Sequence, residues 1–84
     1  MTDTLTTEQI AQSYTAMGHS VSLITDVIAG NDPMMAAESA AERQGCVDRN
    51  VEHLELMVAK DYWTSEDMTA TNAAITAGNG YTAS

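Results

Sequence analysis

Residues 6–33, TTEQIAQSYTAMGHSVSLITDVIAGNDP, decide the fold of this chain because they contain a complete helix with its start and stop signals. Thr6 and Gln9 have the spacing of a capping box, in which each side chain bonds the backbone N–H of the other residue. Leu5 and Ile10 flank this cap at the spacing of a hydrophobic staple. These signals predict that a helix begins at about residue 7.

The same stretch carries one apolar seam and then a stop. Its apolar residues alternate at spacings of four and three, a heptad pattern that no strand shows. They are Ile10, Tyr14, Met17, Val21, Ile24 and Ile28. Gly30 suits the left-handed position after a helix, and Pro33 prevents continuation. We therefore expect one long helix over about residues 7–29.

A second long helix is predicted over about residues 40–61. Ser39 and Glu42 form another capping-box pattern. An apolar stripe follows: Ala40, Val47, Val51, Leu54 and Val58. Gly45 interrupts this helix, and we interpret it as a point where another backbone, that of the first helix, comes close. The pattern leaves open whether residues 33–38 are a loop, a short turn capped by Asp32, or helix throughout.

A third, shorter helix is predicted over about residues 65–77. Thr64 lies at the position of its N-cap, and Asp67 lies three residues later, as in a capping box. Trp63 and Met68 have the spacing of a hydrophobic staple. Gly78 is expected to end this helix. We expect an irregular tail over residues 79–84, pinned to the fold by Tyr81.

These elements make one all-α domain, a helical hairpin of two long helices plus a short third helix, similar to a three-helix bundle. The chain has 84 residues, and Ala and Met contribute much of its apolar content. A core built from these residues is thin and adaptable. We therefore expect the domain to gain stability by packing against copies of itself or a larger partner.

The charge balance limits the partners. Twelve acidic residues against three basic ones give a net charge of −9. Direct binding to nucleic acid or to an anionic membrane needs Lys and Arg, so neither is expected. The N-terminal residues have no signal-peptide pattern, and no apolar run is long enough for a membrane span. The expectation is a soluble protein with a protein partner.

Two groups of side chains are candidate partner-binding residues. The first is an acidic stripe along the second helix, formed by Asp48, Glu52 and Glu55. Like charges at this spacing destabilise a helix slightly, which favours a use for them, although a solvated face is the simpler interpretation. The second group offers apolar or aromatic contact and consists of Met34, Met35 and Tyr62.

No catalytic, metal or cofactor site is predicted. His53 has acidic neighbours, but the Glu-x-x-His pattern of helical metal sites is missing, since Asn50 occupies the Glu position. His19 has no ligand at helical spacing, and Cys46 fits a small buried apolar residue. There is no catalytic triad and no phosphate-binding Gly-rich loop. We expect a protein that is not an enzyme.

Three stretches in the C-terminal half resemble small proteins of tailed bacteriophages that are encoded among virion genes. The stretches are RNVEHLELMVAK at 49–60, EDMTA at 66–70 and NAAITAG at 72–78. The resemblance covers about residues 49–78 and brings no catalytic motif. It implies a phage protein located in the virion, or in the host cytoplasm during infection. It also implies a role as a capsid-decorating or head–tail accessory subunit.

Two hypotheses of different classes follow. The first is a structural subunit that packs on phage structural proteins or on copies of itself. The second is an acidic mimic of nucleic acid that inhibits a host or defence DNA- or RNA-binding protein. A small adaptor with a single protein partner is a weaker third interpretation.

Overall fold

The computed structural model describes residues 5–61, 63 and 66–83 of the chain. Its helices are α1 (Thr7–Ala29), α2 (Pro33–Ala36), α3 (Ala40–Val58) and α4 (Thr69–Asn79). Each pair among α1, α3 and α4 is in contact, and α2 contacts α3. The prediction of an all-α fold, with two long helices and a short third one packed as a bundle, is confirmed.

Both ends of α1 follow from local signals. Thr6 Oγ1 accepts the N–H of Gln9 at 3.1 Å, and Gln9 Oε1 accepts the N–H of Thr6 at 2.9 Å. At the other end Gly30 has a φ of 77°, in the left-handed region that favours glycine. The N–H groups of Gly30 and Asn31 bond the carbonyls of Val27 and Asp26, which is the Schellman arrangement. Local hydrogen bonds therefore mark both ends of α1.

The connection from α1 to α3 contains the short helix that the sequence left undecided. Asp32 Oδ1 accepts the N–H groups of Met34 at 3.0 Å and Met35 at 3.1 Å, which caps α2. Ser39 Oγ then accepts the N–H of Glu42 at 3.2 Å, and α3 begins. The predicted start of α3 is therefore correct. Its end comes at Val58, earlier than the predicted residue 61.

The predicted start of α4 is wrong. The helix begins at Thr69 with Met68 as its cap residue, not at residue 65, and it ends at Asn79 instead of 77. The carbonyl of Asp67 accepts the hydroxyl of Tyr14 at 2.6 Å, and the helical ladder starts one residue later, where the carbonyl of Met68 accepts the N–H of Asn72. The carboxylate of Asp67, one residue before the N-cap residue Met68, accepts the N–H of Thr69 at 3.0 Å and so satisfies the first N–H group of the helix. The proposed cap residue Thr64 lies outside the described residues.

The core lies where α1, α3 and α4 meet. Its buried apolar residues are Met17, Ile24, Val27, Cys46, Val47, Val51, Leu54, Trp63 and Ala74. The other seam residues of α1 are half-buried around them. On α4 the innermost residues are Thr71, Ala74 and Gly78. Thr71 Oγ1 donates to Met17 Sδ at 3.1 Å, so this buried hydroxyl is satisfied.

The close helix approach occurs at Gly78, and the interpretation of Gly45 is wrong. A Cβ on Gly78 would overlap Val51 Cγ2 and lie 3.4 Å from Val47 Cγ1. A Cβ on Gly45 would instead meet the Arg49 guanidinium of its own helix at 3.0 Å. The bundle therefore uses the glycine near the end of α4, inside the helix, for close packing.

Candidate functional site

The acidic stripe of Asp48, Glu52 and Glu55 lies on the exposed side of α3. Val51 and Leu54, which directly precede Glu52 and Glu55 in the sequence, are buried in the core. The three carboxylates therefore share one solvent-facing side, as the spacing predicted. Asp48 Oδ1 also accepts a hydrogen bond from Gln44 Nε2 at 2.9 Å, so part of the hydrogen-bonding capacity of this carboxylate is used within the fold.

Leu56 adds an apolar point to the outer side of α3. Its side chain is 65% exposed, although its neighbour two positions earlier, Leu54, is fully buried. Residues two apart on a helix point in different directions, so both leucines of this pair cannot enter the core. The spacing of Leu54 and Leu56 in the sequence already contains this signal, although Leu56 is not among the predicted contact residues.

The two methionines of α2 have different environments. Met34 is 79% exposed, whereas Met35 is half-buried and packs against the core. Met34 therefore remains a candidate contact residue, while Met35 helps to attach α2 to the bundle. The third predicted contact residue, Tyr62, lies outside the described residues.

Trp63 closes one end of the bundle, as its staple-like position suggested. It is 7% exposed, and its Nε1–H donates to the carbonyl of Met57 at 2.8 Å. Its ring packs against Tyr14 with centroids 6.3 Å apart. A shallow groove of about 390 Å³ lies beside it. The groove is lined by Val58, Lys60, Asp61, Trp63, Met68 and Asn72.

The C-terminal tail is attached to α3 by one amide side chain. Gln44 Nε2 donates to the carbonyl of Tyr81 at 3.1 Å, and Gln44 Oε1 accepts the N–H of Ala83 at 2.8 Å. Tyr81 is half-buried and packs against the core. The prediction that Tyr81 pins the tail is therefore supported, and Gln44 is the partner that the sequence did not reveal.

Asp67 lies just before α4, and its carboxylate is hydrogen-bonded to Thr69. The pKa of its carboxyl group is lowered because the backbone N–H and the side chain of Thr69 donate hydrogen bonds to the carboxylate. Both donors stabilise the charged form. This shift reflects the cap of α4, so it does not by itself indicate a catalytic role.

The remaining polar candidates are spread over the surface. His19 and His53 are exposed on different helices, and Cys46 is buried, with its carbonyl accepting a hydrogen bond from Asn50 Nδ2 at 2.7 Å. Within residues 5–61, 63 and 66–83, no three His, Cys, Asp or Glu residues are grouped to hold a metal ion. No helix in this same part of the chain is long and apolar enough to cross a membrane.

Comparison of the chain with protein-family models, with curated proteins and with solved structures finds no match.

Proposed function

We propose that the protein is a non-enzymatic structural subunit of a tailed-bacteriophage particle, packing on a larger assembly as a capsid-decorating or head–tail accessory protein. The resemblance of residues 49–78 to phage proteins encoded among virion genes supports the setting. The helical bundle supports packing on an assembly, because the helices have exposed sides on the described part of its surface.

The shape of the bundle is the observation that carries this proposal. Its principal extents are 41 × 22 × 19 Å, and its radius of gyration is 13.8 Å. A compact domain of this length has a radius of gyration of about 12 Å. The bundle is therefore a short rod, and a rod buries less of its surface than a sphere does. Contact with neighbours in an assembly would supply the missing burial.

Exposed apolar side chains are the second support. Met34 precedes α3 and Leu56 lies near its end, and both are well exposed. Single exposed apolar residues are common on protein surfaces. Here they stand on an otherwise strongly acidic chain, where each gives a neighbouring subunit an apolar point of contact near one end of the helix.

The test is whether the protein travels with intact particles. Mass spectrometry of purified virions should detect it at a fixed copy number, and Leu56→Gln should lower that number. Ala41→Gln adds the same side chain at another exposed position of α3 and should leave incorporation unchanged. Particles that lack the wild-type protein would contradict the proposal.

The second candidate function is an acidic mimic of nucleic acid, and it rests on the acidic stripe. The three carboxylates are exposed on one side of α3 over about 10 Å of helix. A basic cleft on a nucleic-acid-binding protein would be complementary to this stripe. Binding of that kind weakens steeply as salt rises.

A charge-matched pair of variants tests this second function. The first variant neutralises the stripe: Asp48→Asn, Glu52→Gln and Glu55→Gln. The second neutralises three exposed acids elsewhere: Glu8→Gln, Asp26→Asn and Glu42→Gln. Pull-down from host lysate should recover a DNA- or RNA-binding protein with the wild type and the second variant, but not with the first. Equal losses in both variants would indicate an effect of net charge alone and would contradict mimicry by the stripe.

A further inference from the structure

The chain contains one Asn-Gly pair, and it lies where α4 meets the C-terminal tail. The asparagines of the sequence are Asn31, Asn50, Asn72 and Asn79, and glycine follows only the last of them. Asn79 is the final residue of α4, and Gly80 is its C-cap residue. Both residues are exposed. The pair is therefore accessible to water at the end of a helix.

An asparagine followed by glycine reacts with its own backbone without a catalyst. The backbone nitrogen of Gly80, once it has lost its proton, attacks the side-chain carbonyl carbon Cγ of Asn79. The new N–Cγ bond closes a five-membered succinimide ring, and the amide group takes up a proton and leaves as ammonia. Water then opens the ring at either carbonyl, which gives aspartate or isoaspartate at position 79. Glycine favours this step because it has no Cβ to crowd the attacking nitrogen.

The helical conformation of Asn79 holds the reaction back in the folded chain. A helical ψ of about −42° keeps the nitrogen of the following residue out of line with Cβ, so the five-membered ring cannot close. The N–H of Gly80 also donates to the carbonyl of Thr76 at 3.2 Å, and the N–H of Tyr81 donates to the carbonyl of Gly78 at 3.2 Å. The last turn of α4 must therefore open before the ring forms.

The attachment of the tail to α3 opposes this opening. Gln44 Nε2 donates to the carbonyl of Tyr81 at 3.1 Å, and Gln44 Oε1 accepts the N–H of Ala83 at 2.8 Å. Ring closure needs rotation about the Cα–C bond of Asn79, and this rotation moves the tail relative to α4. Because Gln44 holds the tail in place, its two hydrogen bonds restrain the rotation.

We propose that Asn79 is a self-modification site, converted to aspartate or isoaspartate by the nitrogen of Gly80 at a rate that the hydrogen bonds of Gln44 control. The product adds a negative charge at the C-terminal end of α4, where the helix dipole disfavours it. Isoaspartate also lengthens the backbone by one carbon atom, so Tyr81 and Ala83 no longer meet Gln44 in the same register. The modification therefore releases the tail irreversibly.

Release of the tail changes the surface at the end of α1. Tyr81 and Thr82 form part of the wall of a hollow of about 420 Å³, together with the last residues of α1, Ala36 and Arg43. Tyr81 is half-buried and packs against the core. Its departure exposes apolar surface to water, so the modified protein is less stable than the original one.

Incubation of the full chain in neutral buffer, followed by peptide mapping with tandem mass spectrometry, tests the site. The fragment that contains Asn79 should become heavier by one mass unit over time, with isoaspartate among the products, while Asn31 and Asn50 stay unchanged. The rate should rise with pH because the attacking nitrogen must lose its proton. The denatured chain should react at least about tenfold faster, since the helix no longer restrains ring closure.

A substitution that the structure tolerates tests the ring mechanism. Gly80→Ala adds a Cβ whose nearest atoms, the carbonyl oxygens of Thr76 and Ala77, lie at 3.7 and 3.8 Å, which is ordinary contact. The fold should therefore persist, and circular dichroism checks this. The reaction at Asn79 should slow by about tenfold or more, because the methyl group crowds the nitrogen and restricts the backbone. An unchanged rate would indicate direct hydrolysis by water and would overturn the assigned step.

Gln44→Ala tests the control by the tail. Loss of its two hydrogen bonds to the tail should raise the rate at Asn79 by about fivefold or more, because the last turn of α4 then opens more easily. Tyr14→Phe is the matched control. It removes the hydrogen bond to the carbonyl of Asp67, at the opposite end of α4, and should have a much smaller effect.

Two further outcomes would overturn the inference. If Asn79 stays intact in the folded chain while the denatured chain reacts, the fold blocks the site completely. If Gln44→Ala and Tyr14→Phe raise the rate equally, global unfolding controls the reaction and the tail does not. Neither result depends on whether the protein belongs to a particle, so the structural role is tested separately.

Discussion

Two glycines inside helices, Gly78 in α4 and Gly45 in α3, have opposite roles. Gly78 is buried, and a side chain there would overlap Val51 across the helix interface. Gly45 is half-buried, and a side chain there would meet the flexible end of Arg49 on its own helix. The first glycine allows α4 to dock on α3, whereas the second only weakens the helix that contains it. A glycine in a helix therefore has no fixed meaning until its neighbours are known.

Gly78→Ala should have the largest effect on stability. The added Cβ would overlap Val51 Cγ2, and that side chain belongs to the packed core. Overpacking of this kind costs about 1–3 kcal/mol. Chemical denaturation followed by circular dichroism would measure the loss. An unchanged free energy of unfolding would mean that α4 does not dock as closely as described.

A double variant sharpens this prediction. Val51→Ala removes the methyl group that the new Cβ would overlap, at the loss of some buried apolar surface. The two substitutions together should destabilise the protein by less than the sum of the single effects, because the residues are in contact. Additive effects would show that the loss from Gly78→Ala arises elsewhere.

Gln44→Ala should have the next largest effect, since it releases the tail that follows α4. It removes the two hydrogen bonds that hold Tyr81 and Ala83, together with the bond to the exposed carboxylate of Asp48. We expect a loss of about 1–2 kcal/mol, together with faster exchange of the amide hydrogen of Ala83. Gln12→Ala removes a glutamine from the exposed side of α1 and should change neither quantity much. If the amide hydrogen of Ala83 exchanges as slowly in Gln44→Ala as in the wild type, Gln44 does not hold the tail.

Gly45→Ala should act in the opposite direction and stabilise the protein. Alanine is favoured over glycine in a helix by up to about 1 kcal/mol, and the Arg49 side chain can move aside. Gly18→Ala is the matched comparison on α1, because the space around Gly18 is open. Thermal unfolding should show both variants at or above the wild-type midpoint. If Gly45→Ala destabilised the protein, the two glycines would not have the opposite roles described for Gly45 and Gly78.

The smallest expected effect concerns pH and the cap of α4. The pKa of Asp67 is lowered in the folded state, so its contribution is present above the unfolded pKa and is lost as the pH falls through the folded value. Asp67→Asn removes this titration. The difference in stability between wild type and variant should therefore shrink as the pH drops below about 4.

Thermal unfolding of the two proteins across the acidic range would measure this difference. Thr69→Ala removes the side-chain hydrogen bond to Asp67 but keeps the backbone one, so it should give an intermediate pH dependence. Parallel pH profiles for wild type and Asp67→Asn would contradict the assigned cap.

The sequence by itself determined the elements whose signals are local. The start of α1 depends on Thr6 and Gln9, its end on Gly30, and the start of α3 on Ser39. Each of these residues bonds backbone groups within a few positions, so the pattern contains all the necessary information. The heptad seam of α1 likewise identified its buried side. The acidic stripe was placed correctly because side-chain direction follows from helical periodicity.

Tertiary structure decided the features that depend on distant residues. The sequence offered a complete cap pattern at Thr64, yet α4 begins four residues later than predicted. The hydroxyl of Tyr14, on α1, donates a hydrogen bond to the carbonyl of Asp67. The Nε1–H of Trp63 donates to the carbonyl of Met57. Which glycine allows close packing, and which side chain holds the tail, were also set by contacts between helices. A sequence pattern does not reveal such contacts, because the partner residues are far apart in the chain and meet only after it has folded.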